Sequence, residues 1–329
     1  MKTHADERGL YFDEKLYPWA DLEELNVLTT SDGPFGEDVF FHFYYHDEVL
    51  HLPQGRVDQN FVDTFFKYLE GADVSKFGEA MCSTRGRLFR VWYADILERR
   101  WDDERFAKRF SALAKRLGRS TEYAQAIFER LKDDWSSPGR FYHNLEHLAE
   151  CLYELDHAGV DASTADCVEL ALWYHDSIYD PKGRDLEEQS IERLLKDCDT
   201  LKIPESVALR AAKCIRATIH TNSASSSDFA AQLTSDIDLA ILGEDPKRFL
   251  EYEYSIDDEY KHVPILSYIL ARGHFLASLL ESPAIFKTET VRARYEDKAR
   301  ENITGLLRGP FYRMHRWFGW LYRWVALRK

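Results

Sequence analysis

The sequence predicts a small α+β domain followed by an all-α helical bundle, so that the chain is mostly α-helical overall. Before about Tyr93, β-branched and aromatic residues concentrate in short alternating runs, which favours strands. After Asp95, strand patterns almost vanish and apolar residues recur at the 3.6-residue period of helices. We therefore expect an α+β domain of unknown role at 1–94, an all-α domain at 95–308 and a basic, aromatic C-terminal helix at 309–329.

The N-terminal domain is predicted to contain a hairpin, a helix and a further strand. Val39–Tyr45 is β-branched and aromatic, and Glu48–Leu52 follows it after a short polar turn. Apolar residues between Phe61 and Leu69 recur at helical spacing, and Leu88–Tyr93 has the pattern of a last strand. Together these elements predict a small α+β fold.

The remainder of the chain is predicted to be a succession of helices separated by short Pro, Gly, Asp or Ser segments. The expected helices lie at 95–117, 120–133, 143–157, 163–178, 184–199, 204–220, 236–242, 246–260, 264–280 and 291–306. No period of about 20–50 residues repeats, which argues against a solenoid.

Charge and cysteine content restrict the partners and the compartment. With 57 acidic and 43 basic side chains, the formal net charge is −14, and we expect no nucleic-acid polymer as a partner. The five cysteines are widely spaced and contain no C-x-x-C pair, which fits a reducing compartment. The N-terminal residues lack a signal-peptide pattern, and no apolar run of about 18 residues occurs. We therefore expect a cytoplasmic protein with small partners.

The C-terminal segment has its own character. Residues 311–329 carry four arginines, one lysine and no acidic residue, with Trp, Phe and Leu on one helical face. This composition is typical of helices that lie on a membrane surface. The alternative, which we favour, is that the aromatic face docks on the N-terminal domain or on a second subunit, as in a homodimer.

Four short segments of the helical half concentrate His and Asp: Y-H-N-L-E-H at 142–147, Y-H-D at 174–176, T-I-H at 218–220 and D-I-D-L at 236–239. On a helix, His143 and His147 are i, i+4 neighbours and project from one stripe. His175 and Asp176 close a strongly apolar helix, where a charged pair is costly unless a partner or a cation compensates it. This pattern predicts a divalent metal site.

The donor types also indicate the chemistry. Imidazole nitrogen and carboxylate oxygen together suit Mn²⁺, Fe²⁺, Co²⁺, Ni²⁺ or Zn²⁺. Such an ion lowers the pKa of a bound water from about 15.7 towards about 7 and polarises a phosphoryl oxygen. Hydrolysis of a phosphate ester is the natural use of such a centre.

The motifs resemble those of the HD superfamily of metal-dependent phosphohydrolases, and more closely a bacterial subfamily of predicted HD phosphohydrolases. The resemblance covers about residues 106–308 and rests on R-F-Y-H-N-L-E-H, W-Y-H-D-S-I-Y-D-P, D-I-D-L-A-I-L-G and the downstream Ile256…Glu259-Tyr260, in this order. It implies a helical phosphohydrolase that acts on a small anionic phosphorylated substrate, which we expect to be a nucleotide.

The resemblance also implies the metal ligands. They fall on His147, His175, Asp176 and one member of the Asp236/Asp238 pair, of which we favour Asp238. Asp236 would then orient a ligand or a nearby basic residue. A structural alternative is that this pair simply caps a helix that begins there.

Further roles follow from the same resemblance. His143 would protonate the leaving oxygen, a role typically worth roughly 10²–10⁴-fold in rate. Arg140 could clamp a phosphate. His220 would reach the phosphate or a second metal, and Glu187, with its neighbour Glu188, would position water. The tyrosines Tyr252, Tyr254, Tyr260 and Tyr268 read as packing residues.

The chain departs from the subfamily pattern at two positions: Asp257 stands where the pattern has Arg, and Leu186 stands where it has Asn. Both departures leave the ligands intact but affect substrate contacts. His220 is the only histidine between the His-Asp pair and the last Asp, and this small number of intermediate histidines favours a mononuclear site. Two other functions remain as alternatives. One is an HD-type di-iron oxygenase, for which His143 and His220 would have to serve as extra ligands, and the other is a nucleotide-binding sensor module without turnover.

Overall fold

A computed structural model describes residues 3–30, 39–45, 48–83, 86–94, 101–118, 123–220 and 227–309. The chain divides into two units, Met1–Arg100 and Trp101–Lys329, whereas the sequence placed the division after residue 94. The C-terminal segment for which docking or membrane contact is expected lies outside the described residues from Pro310 onward. Within the described residues, no helix combines the length and the apolar character needed to cross a membrane.

The described residues of the N-terminal unit form two antiparallel sheets and two α-helices. The first sheet has the order β1-β2-β3 and the second has the order β6-β5-β4-β7. Their strands are β1 (Thr3–Ala5), β2 (Gly9–Phe12), β3 (Lys15–Pro18), β4 (Leu22–Thr29), β5 (Val39–Tyr45), β6 (Glu48–Pro53) and β7 (Arg87–Tyr93). The helices are α1 (Gln59–Tyr68) and α2 (Val74–Cys82). The predicted α+β character of this region is therefore confirmed.

The predicted hairpin pairs β5 with β6, and His42 lies opposite His51 in its register. Side chains such as Phe41, Phe43 and Leu52 alternate into a core that α1 and its Phe65 complete. This inward alternation is the period-2 pattern that marks a half-buried strand.

All regular secondary structure in the described part of the second unit is helical, which confirms the predicted helical character. Its helices are α3 (Asp103–Leu117), α4 (Ala124–Trp135), α5 (Leu145–Asp156), α6 (Ala162–Tyr174), α7 (Leu186–Leu201), α8 (Glu205–Arg216), α9 (Phe229–Asp238), α10 (Pro246–Glu259), α11 (Ile265–Glu281) and α12 (Glu289–Arg308). A short 3-10 helix at Ala240–Gly243 follows α9.

Helix α6 is the central element of this unit. Every residue from Cys167 to Tyr174 is buried, and α6 packs against α3, α5, α8 and α9. Trp173 lies within a cluster formed by Phe106, Phe110 and Phe128. Because a helix that is apolar on all sides is buried in the core, the residues that follow α6 emerge in the interior of the bundle.

The helix predicted at 236–242 begins earlier than expected, and neither Asp236 nor Asp238 caps it. Helix α9 begins seven residues earlier, at Phe229, and Asp228 caps it by accepting the main-chain N–H of Ala230. Asp236 and Asp238 therefore lie in the last turn of a helix instead of before its first turn. The apolar and small residues after Asp228 supply the additional two turns.

The helix predicted at 143–157 begins later than expected. Asn144 caps α5, because its Oδ1 accepts the N–H of Glu146 at 2.9 Å, so His143 lies in the turn that precedes the helix. The two histidines are thus not helical i, i+4 neighbours, although the ring centroids of His143 and His147 are only 5.9 Å apart.

Candidate metal centre

Three segments of the helical unit bring His and Asp side chains to one place. His147 lies in the first turn of α5, His175 and Asp176 directly follow α6, and Asp238 is the last residue of α9. Because α6 packs against both α5 and α9, these side chains meet inside the bundle. His147 and His175 are almost completely buried, with 2% and 1% of their surface exposed.

The donor atoms lie at distances typical of ligands that share a metal. Nε2 of His147 is 3.2 Å from Nε2 of His175, and Oδ1 of Asp238 is 3.2 Å and 3.5 Å from these two nitrogens. Oδ2 of Asp176 is 3.3 Å from Nε2 of His175 and 3.9 Å from Nε2 of His147. Tetrahedral ligands that each bind at about 2.0–2.1 Å are about 3.3–3.4 Å apart.

A thiol also lies beside this group. Cys151, one turn after His147 on α5, forms with His147, His175 and Asp238 a set whose donor atoms all lie within 4.8 Å of one another. Its Sγ is 3.7 Å from Nε2 and 3.8 Å from Nδ1 of His147, so the sulfur is equally distant from both ring nitrogens. Burial raises the pKa of this thiol well above its ordinary value.

The main chain orients His175. Its Nδ1 lies 2.8 Å from the carbonyl oxygen of Leu172, and since a carbonyl only accepts, Nδ1 carries the proton and Nε2 is left for the donor group. Burial opposes the charged form of His175, but the carboxylates of Asp176 and Asp238 outweigh it and raise the pKa of His175 to about 9. The carboxylates therefore favour a cation at this position.

His220 contacts the same carboxylate from the other side. Its Nε2 is 2.9 Å from Oδ2 of Asp238, the oxygen that does not face His147. Burial alone would raise the pKa of Asp238, but hydrogen bonds from His147, His175 and His220 hold it well below its usual range. The structure thus places His220 where it orients a donor of the group.

His143 lies beside the donor group and is held by Glu259 of α10. Nδ1 of His143 is 2.6 Å from Oε2 of Glu259, and Tyr179 donates its hydroxyl to the same oxygen at 2.7 Å. Oε1 of Glu259 accepts the main-chain N–H groups of Tyr142 and His143 at 2.8 Å and 3.0 Å. Glu259 is thus fully engaged and determines the orientation of the His143 ring.

The contact between His143 and Glu259 shifts the pKa values of both side chains in favour of an ion pair. Burial opposes the imidazolium, yet the hydrogen bond to Glu259 raises the pKa of His143 above its ordinary value. Burial would likewise raise the pKa of Glu259, but the hydrogen bond from His143 and the nearby donors lower it to about 2. From the sequence, Glu259 is only a part of a motif, and no role is predicted for it.

The structure does not place Arg140 as an open phosphate clamp. Its Nη1 donates to the carbonyl oxygens of His143 and Asp176 at 2.9 Å and 2.7 Å, and its Nη2 donates to that of Ser177 at 3.1 Å. Arg140 therefore ties the turn before α5 to the segment after α6.

One further predicted residue, Asp236, bonds to another segment instead of joining the donor group. Both carboxylate oxygens of Asp236 accept hydrogen bonds from the segment before α12, at 2.6–2.9 Å from Lys287 and Thr288. Asp236 thus anchors α12 to α9. A Cβ at Gly243 would lie 2.6 Å from the carbonyl oxygen of Tyr295, so glycine permits the same close approach.

The acidic pair at the start of α7 is not brought to the donor group. Glu188 forms a two-point ion pair with Arg216, at 2.6 Å and 2.7 Å. The side chain of Glu187 is half-buried and makes no hydrogen bond or ion pair with another described residue. No contact of Glu187 or Glu188 within the described part of the chain therefore supports a role in positioning water.

A chamber of about 400 Å³ opens from the donor group. His143, His220 and Asp238 line its inner end. Three of the tyrosines expected only to pack, Tyr252, Tyr260 and Tyr268, line its walls together with Phe275 and Arg272 of α11. The fourth, Tyr254, is exposed.

No protein-family model, no curated protein and no solved structure matches this chain. What the fold itself provides is a buried group of His, Cys and Asp donors that could hold a metal ion. Beside it lie a carboxylate-held histidine and a chamber of small-molecule size.

Proposed function

We propose that this chain is a metal-dependent phosphohydrolase of the HD type, which cleaves a phosphate mono- or diester of a nucleotide with a metal-activated water. The single observation that carries the proposal is the convergence of His147, His175, Asp176 and Asp238 at 3.2–3.9 Å beside the ion-paired His143. A buried group of this composition is costly unless a cation balances its carboxylates.

Asp176, and not Cys151, is the fourth ligand in this proposal. A sulfur that shared a metal with Nε2 of His147 would lie beyond that nitrogen, and so much farther from Nδ1. The Sγ of Cys151 is equally close to both nitrogens, so it lies beside the ring. Asp176→Asn should therefore lose the metal, whereas Cys151→Ser should retain it.

The metal, which would be Mn²⁺, Fe²⁺, Co²⁺, Ni²⁺ or Zn²⁺, supplies an activated water and a Lewis acid for the phosphoryl oxygen. Four residues of this chain would hold it, and His220 orients one of them through Oδ2 of Asp238. Hydrogen bonds from Arg140 to the carbonyls of His143 and Asp176 fix the position of the turn before α5 relative to the segment after α6.

His143 is the proton donor to the leaving oxygen. Glu259 holds its Nδ1, which leaves Nε2 for the chamber that His143 lines. The contact with Glu259 raises the pKa of His143, so more of the ring carries the transferable proton at neutral pH. After transfer, the Glu259 carboxylate stabilises the ring for reprotonation.

A di-iron oxygenase receives less support. A second iron would need His143 and His220 as ligands, but Glu259 holds the first and Asp238 holds the second. A sensor module without turnover uses the same contacts for binding, and it is distinguished by nucleotide binding without release of product. Two irons per chain would favour the oxygenase.

The test combines metal analysis with phosphate release. The purified protein should contain about one transition metal per chain and release phosphate from nucleotides or other phosphoesters. His175→Ala should lose both properties, while His274→Ala, which changes an exposed histidine on α11, should lose neither. Full activity of His175→Ala on such a panel would refute the proposal.

A further inference from the structure

The chamber next to the donor group indicates which phosphate esters fit. We propose that it holds the flat, ring-bearing organic group of a substrate that carries a single phosphate. This inference rests on the proposed phosphohydrolase function, and it adds the substrate class to that function. The shared chemistry is a planar ring joined to one phosphate, as in a nucleoside monophosphate or an aryl-bearing alkyl phosphate.

The orientation of the chamber determines where the two ends of the substrate bind. Its end at the donor group is lined by Asp238, which is one of the donors, by His220, which contacts Asp238, and by His143, whose ring centroid is 5.9 Å from that of His147. A phosphate at this end places the organic group against α10 and α11. Tyr252 and Tyr260 of the α10 side and Tyr268 and Phe275 of α11 face that position.

The tyrosines offer ring surfaces to a ligand. The Tyr252 hydroxyl accepts a hydrogen bond from Nη2 of Arg272 at 2.6 Å, and the Tyr260 hydroxyl interacts with that of Tyr179. The ring of Tyr252 already packs against Tyr142 and Arg272, so the half-buried rings of Tyr260 and Tyr268 provide the contact surface, together with apolar side chains such as Leu239 and Ile256. Aromatic walls bind planar rings by stacking, with little dependence on the identity of the ring.

The charge of the walls limits the number of phosphates. Among the described residues that line the chamber, Arg272 is the one Arg or Lys. Its guanidinium is bound to Glu253, with Nη2 2.6 Å from Oε1, so its charge is already balanced inside the protein. A second phosphate would therefore find no available cation on these walls, and burying it there would be unfavourable.

The volume sets a further limit. At about 400 Å³, the chamber lies near the lower end of the 300–1,000 Å³ range of small-molecule sites. This is room for one ring-bearing group with its phosphate. A dinucleotide or a strand of nucleic acid would extend outside it.

A matched pair of ligands tests the inference by binding. Phenylphosphonate and methylphosphonate share the phosphonate and differ in the ring, and their affinities for the metal-loaded protein can be measured by calorimetry. We expect phenylphosphonate to bind at least about 10-fold more tightly, and ADP to bind no more tightly than AMP. Equal affinity for the two phosphonates, or about 10-fold tighter binding of ADP, would overturn the inference.

A variant that fills the chamber locates the preference. Ala271 is exposed on α11 and lines the chamber, so Ala271→Trp should reduce the ratio of the two affinities by about 10-fold. Ser278→Trp adds the same side chain at an exposed position of α11 that does not line the chamber, and it should keep the wild-type ratio. An unchanged ratio in Ala271→Trp would overturn the assignment of the ring to this chamber.

Turnover separates this inference from the proposed function. Propyl phosphate and 3-phenylpropyl phosphate both release a primary alcohol, so a difference in kcat/KM reports the ring and not the leaving group. We expect the phenyl ester to react at least about 10-fold faster. A protein that cleaves neither ester yet still prefers phenylphosphonate would contradict hydrolysis and not the role of the chamber. Equal cleavage of both would contradict the chamber and not hydrolysis.

Discussion

Nδ1 of His143 lies 2.6 Å from Oε2 of Glu259, although the two residues are 116 positions apart in the chain. The same carboxylate also accepts the main-chain N–H of His143, so Glu259 holds both the backbone and the ring of one residue. This arrangement resembles the carboxylate-imidazole pairs that orient catalytic histidines. It predicts that Glu259 acts through His143.

Substitutions of this pair should depend on the leaving group. His143→Asn should slow cleavage of an alkyl phosphate by roughly 10²–10⁴-fold, because an alkoxide needs a proton to leave. Cleavage of 4-nitrophenyl phosphate should slow far less, since nitrophenolate leaves without one. Glu259→Gln should follow the same pattern with a loss of about 10–100-fold.

The double variant provides the control for this pair. If Glu259 acts through His143, His143→Asn/Glu259→Gln should be no more than about 3-fold slower than His143→Asn alone. Losses that multiply would show that the two residues act independently.

The stability of the protein should decline in acid because of Glu259. Its folded-state pKa is about 2, against an ordinary value of 4.5, so the carboxylate stabilises the fold above pH 4.5. This contribution, on the order of 3 kcal/mol, is lost progressively as the pH falls from 4.5 towards 2. Urea unfolding of metal-free protein at pH 7, 4 and 3 measures it. Glu259→Gln should flatten the dependence, and Glu301→Gln, at an exposed site on α12, should not.

Metal binding should release a proton from His175. Without a cation, the carboxylates of Asp176 and Asp238 outweigh burial and raise the pKa of His175 to about 9, so the ring is protonated at pH 7. Since a metal binds the unprotonated ring, its affinity should rise with pH up to about 9. Calorimetry in two buffers of different ionisation enthalpy counts the protons. Identical heats in both buffers at pH 7 would contradict this prediction.

Arg140 should contribute to stability more than to substrate binding. Its two Nη atoms donate to three carbonyl oxygens on two segments, and a lysine ammonium cannot span that fork. We expect Arg140→Lys to lower the free energy of unfolding by about 1–3 kcal/mol and to weaken metal binding. Arg184→Lys, at an exposed position, is the matched control. A raised KM with unchanged stability would instead indicate a phosphate contact.

The residues that local sequence could identify are those carried by short motifs. The resemblance of these motifs implies His147, His175, Asp176 and Asp238 as ligands, and the fold brings their side chains together. The sequence does not predict the role of Glu259, because only tertiary packing brings α10 to the turn before α5. Arg140 was expected to bind phosphate, since a sequence does not show that nearby carbonyls use its donors.

The bounds of the helices and strands also differ in how far local sequence predicts them. The continuous apolar pattern of α6 predicts that helix well, whereas the sequence predicts a helix that begins too late at α9 because Asp236 resembles a cap. The strands from β1 to β4 and the helix α2 were not predicted. Strands as short as three or four residues depend on pairing with neighbours and carry little pattern of their own.

The most direct test of metal-dependent phosphate hydrolysis measures metal content and phosphate release on one preparation of the full-length protein. We expect about one transition metal per chain, phosphate release from a nucleoside monophosphate, and loss of both in His175→Ala but not in His274→Ala. A protein without stoichiometric metal, or a His175→Ala variant with unchanged activity, would contradict metal-dependent hydrolysis.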